Sequence, residues 1–251
     1  MSTTTTRWRR RTVTPADRAG TLRAASFTAV AGAVLFTVML VGVLTHTGAQ
    51  RLDAPVEAWF DAHRTPAAVG FMVFLAVVFG PTGMPIIVAV VTVAWAIARR
   101  EVWRPVLLAS GMLLGVATAE VLAPIVRHPR PPIGEMMLQV DHSFSFPSGH
   151  VLGTSDFFLL AAWLIGSRLG RPWLLRTLFA AAAVMVALQI VSRLFLGYHW
   201  LTDTLGSVGL SLLIVSLAVS IDVVLTTRVG ERAVAADPEP DPPLEIGRAR
   251  S

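Results

Sequence analysis

Long apolar runs, separated by short polar stretches rich in arginine, dominate the pattern of this chain. The first occupies residues 25–44 without a charge, and others fall near 83–98, 105–119, 151–166, 172–191 and 205–221. About 20 apolar helical residues cross the hydrocarbon core of a bilayer, and these runs meet or approach that length. The pattern predicts an all-α, polytopic membrane protein with about six transmembrane helices. Residues 67–98 are too long for one simple crossing, since ~32 residues of helix would measure roughly 48 Å. Gly80-Pro81-Thr82-Gly83 interrupts them. Residues 67–79 are therefore expected at the external surface or only partly inserted, with the span in the second half.

Composition supports the membrane reading: of 251 residues, 54% are hydrophobic and only 15% charged, unlike an ordinary soluble domain. Without cysteine, neither a disulfide framework nor a cysteine metal site can form. All 21 basic residues are arginine. The net charge of +5 is distributed as a topology signal and not as a nucleic-acid surface, so no nucleic-acid partner is expected. Arginines cluster at 7, 9, 10, 11, 18 and 23, at 99, 100 and 104, at 168, 171 and 176, and at 228, 232, 248 and 250. Six crossings put all four clusters on one side, which the positive-inside rule makes cytoplasmic.

The first apolar run exceeds the 7–15-residue core of a cleavable signal, so it is read as an uncleaved span. Residues 237–243, rich in proline and acid, cannot form a helix and have little to bury. The expected organisation is a cytoplasmic arginine-rich segment (1–24), one integral membrane domain (25–228) and a disordered cytoplasmic tail (229–251). The sequence leaves the oligomeric state open.

Two motifs carry chemistry. Pro147-Ser148-Gly149-His150 opens an apolar run, and Arg193, His199 and Asp203 form an R-x5-H-x3-D pattern. On the six-crossing topology both lie in extracytoplasmic loops. A neutral His199 nitrogen can attack phosphorus and split one displacement into two steps. Asp203, one helical turn on, can accept a hydrogen bond from the other ring nitrogen and stabilise the cation that forms. Ser148 and Gly149 stand where helix-start N–H groups receive anions and backbone can approach a phosphate closely. His150 is the candidate acid for the leaving oxygen and then the base for water. Arg130 and Arg193 offer planar, permanently charged forks to phosphate oxygens. Each feature has a plainer reading: a capping His-Asp pair, an ordinary helix start, or arginines anchored among headgroups.

These residues, in this order, resemble the signature of the type 2 phosphatidic acid phosphatase family. The resemblance covers the second half of the chain and implies a six-span helical fold and a metal-independent mechanism without cofactor. It makes Arg130-Pro131 the end of the first family motif, K-x6-R-P, Ser148, Gly149 and His150 the second, and Arg193, His199 and Asp203 the third. The family lysine falls on Ala123. Arg127 is the expected substitute, one helical turn on and with a longer side chain; His128 is a weaker one.

The resemblance implies hydrolysis of a phosphate monoester or pyrophosphate on a membrane lipid, through a phosphohistidine, on the extracytoplasmic side of the cell membrane. Phosphatidic acid, phosphatidylglycerol phosphate and polyprenyl pyrophosphate all suit it. Transfer of the phosphoryl group to a lipid or sugar acceptor is an alternative, as is a scaffold or transporter that has lost catalysis. Two acids in apolar surroundings need partners or a wet cavity. Glu120 is expected to orient Arg127, and Asp156 either pairs structurally or contacts a substrate headgroup.

Overall fold

A computed structural model describes residues 15–235 of the chain. Residues 1–14 and 236–251 lie outside the described part, and with them most of the N-terminal arginine cluster and the proline-rich tail. The described residues form helices and no strands. In order these are α1 (Pro15–Thr45), α2 (Asp53–Ala62), α3 (Pro66–Val78), α4 (Gly83–Arg99), α5 (Trp103–Val126), α6 (Gly149–Gly166), α7 (Pro172–Phe195) and α8 (Leu201–Ala235). Residues 15–24, expected to precede the first span, are already helical.

Local signals explain several boundaries. Thr65 accepts a hydrogen bond from Ala68 N at 3.3 Å, and Pro66 starts α3 where a missing N–H costs nothing. Pro172 starts α7 in the same way. Asp53 caps α8 from a distance: its carboxylate accepts from Thr202 N at 2.9 Å and Thr202 Oγ1 at 2.7 Å.

Five helices (α1, α5, α6, α7 and α8) are individually long and apolar enough to cross a membrane. A sixth span is available from α3 and α4 together, which meet at a 52° bend. The break falls at the predicted Gly80–Gly83 interruption. α3 lies beside the end of α7: Ser192 Oγ donates to Met72 O at 2.9 Å, and Ala76 packs with Leu196 and Tyr198.

The bundle is apolar outside and partly polar within, as lipid-solvated helices require. Val30, Val34 and Val38 of α1 and Ile86, Val90, Val93 and Ile97 of α4 are exposed. Thr154, Ser155, Asp156, Ser207 and Ser211 are fully buried between helices. α1 and α8 cross where Gly32 faces Gly209; a Cβ on Gly32 would stand 2.7 Å from Gly209 O, so the backbones themselves are in contact.

Below the polar layer, Leu108, Met112, Leu160, Leu164, Val215 and Val219 form a dry core among α5, α6 and α8. Beyond it, Arg104 Nη2 meets Asp222 Oδ2 at 2.7 Å, and Trp163 Nε1 donates to the same oxygen at 3.2 Å. This buried knot ties the three helices at the end opposite the motif residues.

Candidate active site

The C-termini of α5 and α7 and the N-termini of α6 and α8 meet at one end of the bundle, and the motif residues sit at these ends. His199, in the turn before α8, is 2% exposed. Its Nδ1–H donates to Ser145 O at 2.9 Å. That bond fixes the tautomer and leaves the Nε2 lone pair aimed toward Arg130 Nη1, 3.3 Å away. Burial, reinforced by the charges of Arg130 and Arg193, outweighs the pull of Asp203 and lowers the pKa of His199 to about 4. The ring is therefore neutral near pH 7, as a nucleophile must be.

Asp203 is completely buried at the start of α8. Its Oδ2 stands 3.6 Å from His199 Nδ1, close enough for charge stabilisation but beyond a good hydrogen bond. The same oxygen accepts from Trp200 N at 2.8 Å and from the Ser145 hydroxyl. Oδ1 faces His128 Nδ1 at 2.8 Å. Ser145 thus touches both members of the His-Asp pair, through its carbonyl and its hydroxyl.

Arg130 lies in the loop after α5. Its Nε donates to Ser143 O at 3.0 Å, its Nη1 to Tyr198 O at 2.7 Å, and its Nη2 pairs with Asp141 at 2.8 Å. These bonds hold the guanidinium beside His199. Arg193, in the last turn of α7, is 3% exposed, with its guanidinium carbon 4.5 Å from the Tyr198 ring centroid. Its Nε has no hydrogen-bond partner.

Ser148 is fully buried, and its hydroxyl is likewise unpartnered. Its backbone N–H donates to Ser207 Oγ at 2.7 Å, which fixes the start of α6 against α8. At Gly149 an added Cβ would meet no atom within 4 Å, so the first turn of α6 opens onto free space. His150 hydrogen-bonds the carbonyl of Ala76, near the end of α3, and lies in the electrostatic field of Arg193, His199 and Arg130. Gly80 closes over it: a Cβ there would be 2.8 Å from His150 Nε2 and 2.2 Å from Ala76 O. The α3–α4 break thus shapes one wall of the site.

Arg127 is not brought to this cluster. It is the left-handed C-cap of α5 (φ 54°), its side chain is exposed, and its Nε donates to Pro124 O at 2.9 Å. The reversal that turns Arg127 out turns His128 in. Glu120 is exposed, and among the described residues no ion pair joins it to Arg127. Asp156 accepts from Ser211 Oγ at 2.6 Å inside the bundle, the structural pairing of its two predicted roles.

Sequence reasoning passed over Ser145, Asp141, Tyr198 and Ser207, and it considered His128 only as a lysine substitute. Ser145 stands three residues before Ser148, and a polar residue so near a motif was the one available signal. Among the described residues no group of three or more His, Asp or Glu side chains is placed to hold a metal ion.

Comparison with known proteins converges on one family. Residues 104–225 match the PAP2 superfamily. Phosphatidylglycerophosphatase B of Bacillus subtilis (strain 168) is 34% identical over 85 residues, 33% of this chain. That match spans 41% of the relative's own length. The crystal structure of the first transmembrane PAP2 type phosphatidylglycerolphosphate phosphatase, from Bacillus subtilis, superposes with a TM-score of 0.70. It is 24% identical, covering 78% of this chain and 96% of that one, and it shares the fold. Every site residue described above except Gly80 and Ala76 falls within the segment that matches the PAP2 superfamily.

Proposed function

We propose that this protein hydrolyses a phosphate monoester or pyrophosphate on a membrane lipid, with His199 as nucleophile. The observation that carries the reading is the fixed tautomer of His199: Nδ1–H is committed to Ser145 O, and Nε2 keeps its lone pair, which accepts from Arg130 Nη1. Nε2 attacks phosphorus, the N–P bond forms, and the P–O bond to the lipid breaks with its electron pair on the leaving oxygen. His150 protonates that oxygen. It then takes a proton from water, whose oxygen attacks phosphorus and breaks the N–P bond, releasing phosphate and restoring His199.

Arg130, Arg193, Ser148 and the Gly149 turn hold the phosphoryl oxygens. The unpartnered Ser148 hydroxyl and Arg193 Nε support that role, because buried donors without partners are costly unless a ligand satisfies them. Asp203 stabilises the imidazolium of the intermediate. Arg127 is left out of this set because its side chain is turned away and exposed. The names of the two relatives point to a phosphatidylglycerol phosphate among the substrates considered.

The site faces the extracytoplasmic side of the cell membrane in this reading. Its support is positional: Arg99, Arg100, Arg104, Arg168, Arg171 and Arg176 lie at or beside the helix ends opposite the motif residues.

Phosphate release by the detergent-solubilised protein, with a chelator present, tests the reading over phosphatidic acid, phosphatidylglycerol phosphate and polyprenyl pyrophosphate. Release by wild type that disappears in His199→Ala is the expected outcome. No release on any lipid, by wild type or by Ala123→Lys, contradicts it.

A further inference from the structure

His128 takes no chemical step in this scheme, yet it is built into the support of the nucleophile. It is 4% exposed, and its Nδ1 lies 2.8 Å from Asp203 Oδ1. Its Nε2 lies 3.1 Å from Gln50 Nε2. An amide nitrogen only donates, so Gln50 makes His128 Nε2 the acceptor and leaves the ring proton on Nδ1, facing Asp203. The His128 carbonyl accepts from Ser145 N at 2.8 Å, and it is Ser145 that holds the His199 ring. One buried carboxylate therefore serves two imidazoles, each through a different oxygen.

Resting on the hydrolase reading, we propose that His128, set by Gln50, is a positioning residue for the reaction. It clamps Asp203 Oδ1 so that Oδ2 stays directed at His199. When Nε2 gains the phosphoryl group, the His199 ring becomes cationic while its proton remains on Nδ1. Asp203 Oδ2, 3.6 Å away in this state, is then a better partner for that proton than the neutral Ser145 carbonyl. Trp200 N and the Ser145 hydroxyl also hold Oδ2, and without His128 on Oδ1 the carboxylate would tilt about those two bonds and meet the cation in fewer of its orientations. No proton leaves His128 or reaches Asp203 at any step. The competing reading is a purely structural tie between the end of α5 and the start of α8.

Steady-state kinetics of His128→Leu, His128→Asn and Gln50→Leu separate the two. A hydrogen bond to a charged group, made stronger in the transition state, is expected to lower kcat about 10- to 100-fold in His128→Leu with KM little changed. The Asn amide nitrogen can stand where Nδ1 stands, so His128→Asn should recover most of that loss. Gln50→Leu should fall between wild type and His128→Leu.

Wild-type kcat in His128→Leu overturns the proposal, as does a loss in His128→Asn as deep as in His128→Leu, which would mark packing. If His128→Leu does not fold, Gln50→Leu and His128→Asn still decide by the same split. Nitrogen NMR of the labelled imidazoles gives a readout independent of turnover. The His128 Nδ1 signal should shift in Asp203→Asn, and its constancy would overturn the contact itself. If the wild type releases no phosphate from any lipid, it is the hydrolase reading that falls, and the nitrogen spectrum still decides the His128–Asp203 bond.

Discussion

The nitrogen assigned as nucleophile, Nε2 of His199, keeps its lone pair because the ring proton is committed to Ser145 O and because burial disfavours a second proton. With a pKa of about 4, against about 6.5 for an unperturbed histidine, the ring stays neutral through the physiological range. An NMR titration of the His199 ring should give a midpoint near 4; a midpoint near 6.5 would contradict the buried, doubly restrained ring. The same shift bears on stability. Between pH 6.5 and about 4 the unfolded chain binds a proton that the folded one refuses, so this group lowers stability as pH falls through that window.

At this scale the motif residues were legible because R-x5-H-x3-D and Pro-Ser-Gly-His are local patterns. Spacing favoured Arg127, four residues after Ala123 and on the same helical face, over His128, five residues on, and the fold brings in His128 instead. What separates them is the left-handed cap at Arg127, a backbone reversal at a non-glycine residue that helix periodicity does not announce. Ser145 was illegible for a related reason, since its carbonyl acts on a side chain 54 residues away in sequence.

The elements show where apolar patterning stops being informative. It located the five helices long enough to cross a membrane and the interruption at Gly80–Gly83, because long hydrophobic runs in lipid have few alternatives to helix. It could not say what the break is for. In the fold, the end of α3 supplies the Ala76 carbonyl to His150, a contact between elements that no local pattern encodes.

α2 gives a second case. There Glu57 is buried beside Glu135, a contact that joins α2 to the loop after α5, and lies 3.9 Å from Arg64. Burial, then the hydrogen bond and charge of Glu135, raise Glu57 to about 7, while Arg64 pulls the other way. A carboxyl raised from 4.5 holds its proton in the fold, so its contribution is full below about 4.5 and is lost as pH rises through 7. Glu57→Gln should therefore gain thermal stability relative to wild type between pH 5 and 8. Taking the difference between the two proteins at each pH cancels the slope due to His199. A constant difference across that range would mean that Glu57 does not titrate there.

Over the whole molecule, the polar groups divide into two ends with a dry layer of Leu108, Leu160, Leu164 and Val215 between them. The site occupies one end, and the Arg104–Asp222–Trp163 knot holds the other. Asp222→Ala would leave the Arg104 guanidinium buried without its carboxylate, a loss of about 3–5 kcal/mol for a pair of this kind. Detergent-solubilised protein should then unfold at a markedly lower temperature, while the folded fraction keeps its turnover because the knot is remote from His199. Unchanged melting would mean that water or detergent reaches Arg104. The arginine distribution did not announce that Arg104 turns inward, because a charged residue near a span end usually reaches for the headgroups.

The claim on which all three scales converge is that phosphorus becomes bonded to His199, and rapid quenching of a turnover with lipid carrying radiolabelled phosphate tests it most directly. The account predicts a label that survives base, is lost in acid, and maps to His199. It also predicts that no label forms in His199→Ala and that a longer-lived one forms in His150→Ala when the leaving group is too good to need an acid. Phosphate release that continues in His199→Ala, or a label that maps to any other residue, would contradict it.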